Sequence, residues 1–144
     1  MRDIPRRANL GLVVVLAMMV VGCATTAGRA FETNESQVKL RSIQTRAFDT
    51  TDKKQMMQTV ISTMQDLEFV IDKADFTLGS VTGSKYFSNT VITMTVSVRP
   101  RGEKQLLVRA NAQYGIKSVE DAATYQDFFT ALEKALFLTA QQVD

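Results

Sequence analysis

The sequence predicts an α+β domain, an antiparallel sheet of about five strands with two helices packed on one of its faces, in the order β-α-β-β-β-β-α. Three observations carry this. Thr90 to Val98 alternates strictly, with Ile92, Met94, Val96 and Val98 on one side and Thr93, Thr95 and Ser97 on the other, the period-two pattern of a half-buried strand. Two longer stretches instead repeat their apolar residues at helical spacing: Met56, Met57, Val60, Ile61, Met64 and Leu67, then Tyr125, Phe128, Phe129, Leu132, Ala135, Leu136 and Thr139. A sheet with one apolar face is covered economically by two helices that each carry one apolar stripe.

Leu40 to Phe48 reads as the first strand, with Ile43, Thr45 and Ala47 against Ser42, Gln44 and Arg46. Asp49-Thr50-Thr51-Asp52 follows and offers side-chain oxygens to the free amides of a helix start, so the first helix is expected over Asp52 to Leu67. Its methionine-rich stripe is expected to pack in the core, because methionine fills irregular gaps readily. Lys53, Lys54, Gln58 and Gln65 fall on the opposite side. Phe69-Val70-Ile71 begins a strand that leads through Asp72-Lys73-Ala74-Asp75 to a turn ending near Gly79, and Val81 to Phe87 returns. Asn89 turns the chain into Thr90 to Val98. Arg99-Pro100-Arg101-Gly102-Glu103 supplies the next turn. Gln105 to Tyr114 then alternates Leu106, Val108, Ala110, Ala112 and Tyr114 inward, completing a long hairpin. Ser118 and Asp121 have the spacing of a capping box, which starts the last helix near Val119 and runs it to Gln141. Phe137 lies off the stripe of that helix and is expected at the surface as a partner contact.

Composition narrows the chemistry. Histidine is absent, which excludes Ser-His-Asp and Cys-His catalysis and the usual zinc sites. Gly79 and Gly83 are not a phosphate-cradling loop and mark turns or bulges. Asp66, Glu68, Asp72 and Asp75 are the densest acidic group, and structural roles are expected for them ahead of a metal site or catalysis. No enzyme activity, cofactor or metal is expected.

The N-terminus carries a basic head, Arg2, Arg6 and Arg7, and an apolar run from Leu10 to Val21 broken only by Gly11. That profile is a secretory signal peptide, and it is short for a bilayer span, which takes about 20 apolar residues. Val20-Val21-Gly22-Cys23 follows at its end, and the four residues resemble the lipobox of bacterial lipoproteins, with Val20, Val21 and Gly22 as the signal-peptidase recognition residues. The resemblance implies lipidation of Cys23, the only cysteine, by palmitate-type acyl chains. It also implies routing to the outer membrane, since Ala24 replaces the Asp that favours inner-membrane retention. Cleavage at an ordinary site such as Ala24 or Ala27, or a buried helix over Ala8 to Val21, are the alternatives. The organisation expected is therefore a signal peptide over 1–22, a lipidated cysteine and flexible tether over 23–38, and a periplasmic domain over 39–144. The last stretch suffices for one domain and not for two.

Removal of residues 1–22 takes three Arg and one Asp from totals of 17 basic and 15 acidic residues, and leaves 14 of each. The basicity of the whole sequence thus belongs to the signal, and no nucleic-acid partner is expected. A tether of this length extends on the order of 50 Å at about 3.5 Å per residue.

The strand-helix opening, Leu67-Glu68-Phe69-Val70-Ile71, the acidic turn with Gly79, and the closing hairpin and helix resemble the helix-grip domain of the C subunit of the β-barrel assembly machinery. Arg41 to Thr50 and Gln65 to Asp75 are similar to a family of small bacterial outer-membrane lipoproteins. The resemblance implies a location and a fold, and no reaction. The expected function is a lipid-anchored, non-enzymatic adaptor or accessory subunit of an envelope complex for barrel assembly, secretion or efflux, with an envelope protein as partner. Arg99, Arg101, Lys104 and Phe137 are the candidate partner surface. The alternative is a small-molecule or lipid-binding module using a groove between sheet and helices. Arg41 and Arg46 are expected to form ion pairs with the acidic turn.

Overall fold

The computed structural model describes residues 36–141, so Val20, Val21, Gly22 and Cys23 lie outside the described residues, as does the expected tether up to residue 35. Contacts along the chain divide it into two units, Met1–Val38 and Lys39–Asp144, and the elements below lie almost wholly in the second. A short helix, α1, covers residues 36–43. It is followed by β1 (Thr45–Phe48), α2 (Lys53–Asp66), β2 (Val70–Asp75), β3 (Ser80–Phe87), β4 (Thr90–Arg101), β5 (Gln105–Tyr114), β6 (Lys117–Ser118) and α3 (Ala122–Gln141). The fold is α+β, and every strand pairing is antiparallel.

The sheet order is β1-β5-β4-β3-β2. β2 to β5 form the expected meander, and the first strand lies beyond β5, pairing Thr45 with Arg109 and Phe48 with Leu106. β6 pairs Gln113 with Ser118 and Tyr114 with Lys117, so it continues the edge that β1 leaves uncovered. One face of the sheet is closed by α2 and α3. Met56, Met57, Val60 and Met64 from α2 and Tyr125, Phe128, Phe129 and Leu132 from α3 are buried with Val81, Met94, Val96, Val98, Leu106, Val108, Ala110 and Ala112. Phe128 and Phe129 meet edge to face at 5.2 Å between ring centroids. The other face presents hydroxyls, with Thr82 and Thr95 3.1 Å apart and Ser84 donating to Asp72 at 2.6 Å.

The expected strand at Leu40 is corrected to the end of α1. Leu40 and Ile43 are three residues apart, which places both on one side of a helix, and both pack against the core. The amide of Gln44 donates to the carbonyl of Leu40 at 3.1 Å and closes the last turn. Residues 36–38, expected in the tether, belong to this helix. α2 starts as expected, with the Asp52 carboxylate accepting from the amide of Gln55 at 2.8 Å. It ends in a Schellman arrangement in which Phe69 donates to Met64 and Glu68 to Gln65, both at 2.9 Å. Glu68 holds the left-handed position that glycine usually fills, at φ 68°.

β2 runs through Asp75, further than its acidic composition predicts, with a bulge between Ile71 and Lys73. The capping box at Ser118 is not formed. Ser118 belongs to β6, and Asp121 caps α3 itself, accepting from the amides of Ala123 and Thr124 at 3.3 Å. Tyr114, expected inward, is exposed, because β5 outruns the helices that cover its neighbours.

Candidate functional site

Both ends of the sheet carry large apolar side chains that the helices leave uncovered. At one end, β3 and β4 turn at Ser88 and Asn89, and β5 turns into β6 through Gly115. The two turns are neighbours: Tyr86 pairs with Val91, Ile92 with Tyr114, and the amide of Gly115 reaches the Val91 carbonyl. Ile116 is 98% exposed and Tyr86 67%, and Phe87 and Tyr114 stand half out of the surface beside them. This aromatic end continues into a groove of about 210 Å³ under the sheet, lined by Leu67, Phe69, Phe87, Ile92, Met94 and Phe128 with Lys85, Thr124 and Asp127. The groove is smaller than the ~300 Å³ at which sites for drug-sized ligands begin.

Lys85 organises the rim of that groove. Its ammonium is 2.8 Å from Glu68, donates to the carbonyl of Leu67 at 3.1 Å, and lies 5.5 Å from the Phe87 ring centroid. The hydrogen bond from Lys85, helped by its charge, holds the Glu68 carboxyl below the ordinary carboxylate range. A carboxyl depressed in the folded state stabilises above its unfolded pKa, and that contribution is lost as pH falls through the lower folded value. Replacing Lys85→Met is therefore expected to move the Glu68 titration midpoint upward, to the ordinary range, in side-chain carboxyl NMR. A midpoint unchanged from the native chain refutes this account of the pair.

The opposite end collects the residues that the sequence nominates as a partner surface. Arg99 and Arg101 close β4, and Lys104 follows in the tip between β4 and β5. Phe137, 65% exposed, lines a groove of about 310 Å³ with Phe48, Asp49, Thr50, Gln55 and Leu136. Asp49 in turn accepts from Gln105 at 2.5 Å, and Gln105 is the cross-strand partner of Arg101. The three cations and the aromatic side chain thus share one end of the domain although they are far apart in sequence.

The acidic residues do not converge. Asp72 accepts from Ser84, Asp75 caps its own turn by accepting from the amide of Leu78 at 2.8 Å, Glu68 pairs with Lys85, and Asp66 is exposed. No group of three or more His, Cys, Asp or Glu is placed to hold a metal among the described residues. Arg46, expected to meet the acidic turn, instead reaches Glu133 on α3 at 2.6 Å and lies 4.9 Å from the Phe129 ring centroid. The reason is register: Arg46 is opposite Val108 and so points to the helix-covered side, away from β2. Arg41 is on α1 and exposed.

The aromatic end escaped sequence reasoning because Phe87 and Tyr114 occupy inward phases of their strands. The apolar residues of the β2–β3 turn, Phe76 and Leu78, carried a readable signal: they stand between Asp75 and Gly79, where turn chemistry favours polar side chains. Among the described residues, no helix is long and apolar enough to cross a membrane. No protein-family model matches the chain, and no curated protein matches it.

Proposed function

We propose that this chain is an outer-membrane lipoprotein, acylated at Cys23, whose periplasmic helix-grip-like domain is a non-enzymatic adaptor or accessory subunit of an envelope complex such as a barrel-assembly, secretion or efflux apparatus. The observation that carries the reading is the aromatic end, where Tyr86, Phe87, Tyr114 and Ile116 project together beyond the core. Aromatic side chains of this kind anchor protein interfaces, since they bury much area at little entropic cost. Lys85 is paired with Glu68 there, and the exposed Lys117 is offset by Asp127 at the groove, so the surface has no strong field of either sign. The lipobox resemblance at Val20-Val21-Gly22-Cys23 adds a tether that raises the local concentration of the domain at the membrane, and modest contacts then suffice for assembly.

Crosslinking in intact envelopes followed by affinity purification tests the reading. The native chain is expected to recover one stoichiometric envelope protein, and Tyr114→Ser with Ile116→Ser to lower that yield about tenfold, the equivalent of about 1.4 kcal/mol. Cys23→Ala is expected to lose the acyl mass and to lower the yield by dilution. Recovery of no stoichiometric partner by the acylated native chain defeats the adaptor reading.

A further inference from the structure

We propose that the end of the domain opposite the aromatic one is a membrane-contacting face that binds anionic phospholipid headgroups and inserts apolar tips between them. Three elements build it. The first turn of α2 brings Lys53 and Lys54, which line a surface groove with Phe76 of the β2–β3 turn. Lys53 is fastened to that turn by its ammonium, which donates to the Thr77 carbonyl at 3.0 Å. The turn is fastened to β4, where the amide of Val98 donates to Gly79 at 2.8 Å, so Leu78 stands beside Arg99 at the start of the projecting hairpin. On the other side of the same helical turn, Gln55 lines the groove that holds Phe137, and Leu138 is exposed next to it. One continuous end therefore carries four large apolar side chains, Phe76, Leu78 (70% exposed), Phe137 and Leu138, among Lys53, Lys54, Arg99, Arg101 and Lys104.

The chemistry of this end fits a bilayer surface better than it fits a protein. Two pairs of apolar side chains, one on a turn and one near the end of a helix, with cations at the same end, match an interface in which headgroups carry negative charge and acyl chains begin a few ångströms below. Four carboxylates share the region against its five cations, a net excess of one positive charge; three of them are turned to partners within the protein and keep their charge there, Asp49 accepting from Gln105, Asp52 from the Gln55 amide and Asp75 from the Leu78 amide. Only Glu103, at the hairpin tip, is without such a role among the described residues, whereas Lys54, Arg99, Arg101 and Lys104 are all exposed. The tip itself stands clear of the domain, since a side chain built at Gly102 meets nothing within 4 Å.

The aromatic end carries two cations, Lys85 paired with Glu68 and the exposed Lys117 of β6, against five at the basic end. With the basic end on a membrane, the aromatic end faces away from it. This orientation rests on the adaptor reading; the lipid contact does not.

The test uses the chain from residue 23 with Cys23→Ala, which removes the acyl anchor while keeping every core residue, since the core is drawn from Leu40 to Leu136. Its flotation with vesicles of phosphatidylcholine alone is compared with vesicles of equal parts phosphatidylcholine and phosphatidylglycerol. Binding is expected to the anionic vesicles only, and to fall about tenfold or more as salt is raised and the surface charge screened. Arg101→Glu with Lys104→Glu is expected to abolish it. Lys39→Glu with Lys73→Glu, which change the net charge equally at exposed positions elsewhere, is expected to leave it unchanged. The chain contains no tryptophan, so Phe76→Trp supplies a single reporter whose emission is expected to shift to the blue on anionic vesicles. Failure of the folded native sequence to bind, equal loss in both charge-reversed pairs, or an unmoved emission from bound Phe76→Trp overturns the proposal. Because no acyl chain is present, none of these results depends on whether Cys23 is lipidated; acylation is read separately from the mass of the native chain.

Discussion

Tyr125→Phe is expected to destabilise the domain by about 3 kcal/mol, although it deletes a single oxygen and leaves the core volume nearly unchanged. The hydroxyl is the meeting point of three segments. It donates to the carbonyl of Val119 at 2.7 Å, and it accepts from the side-chain amide of Gln44 at 3.1 Å and from the amide of Ala112 at 3.2 Å. Tyr125 is fully buried and Gln44 nearly so, so water cannot replace the lost oxygen. Two donors and one acceptor lose this partner, and an unsatisfied buried group costs about 1–3 kcal/mol. The urea midpoint should drop with little change in slope, and the Ala112 amide should exchange faster with solvent. Tyr86→Phe is the control: that ring is largely exposed, and its change should stay within about 0.5 kcal/mol. Equal effects at both sites remove the hydroxyl as a structural centre.

Gly79→Ala should cost on the order of 3 kcal/mol, against about 1 kcal/mol for Gly102→Ala. Both glycines lie in the left-handed region, at φ 72° and 62°. At Gly102 a methyl group meets open space, so only the backbone preference is lost. At Gly79 it collides with the carbonyl of Val98 and comes within 2.6 Å of Cε of Lys53. The lysine end can swing away, but the carbonyl belongs to β4 and cannot move without opening the sheet. Chemical denaturation of the two variants side by side measures the difference. Equal losses mean that the close approach of turn to strand is not a constraint.

The elements with long, regular patterns were legible. The α2 stripe from Met56 to Met64 and the β4 alternation from Met94 to Val98 are buried as their spacing requires, because each period is repeated often enough to exclude the other. Short windows were ambiguous. Ile43, Thr45 and Ala47 alternate, yet Leu40 and Ile43 also satisfy a helical turn, and packing against the core selects the helix. Ser118 and Asp121 have capping-box spacing, but Ser118 finds a better use in pairing with Gln113, and Asp121 caps three residues later. The candidate surfaces were legible only as chemistry. Arg99, Arg101, Lys104 and Phe137 could be named from charge and helical phase, whereas their gathering at one end depends on the link from Phe137 through Asp49 to Gln105. The aromatic end is set by where α2 and α3 stop relative to the strands, a tertiary length that no local pattern encodes.

The placement of β1 has a mechanical meaning. In a chain held to a membrane at Cys23, any pull transmitted along the tether enters the domain through α1 and reaches first a four-residue strand at the rim of the sheet. Such a strand yields by unzipping one rung at a time unless something resists ahead of it. The Ala110 amide bound to the Gln44 carbonyl at 2.9 Å, the side-chain amide of Gln44 on the Tyr125 hydroxyl and the Arg46 pair with Glu133 stand at that entry point and join it to β5 and α3. They make a strain relief there, so that under the proposed anchoring a tug would load β5 and α3 together with the four-residue strand.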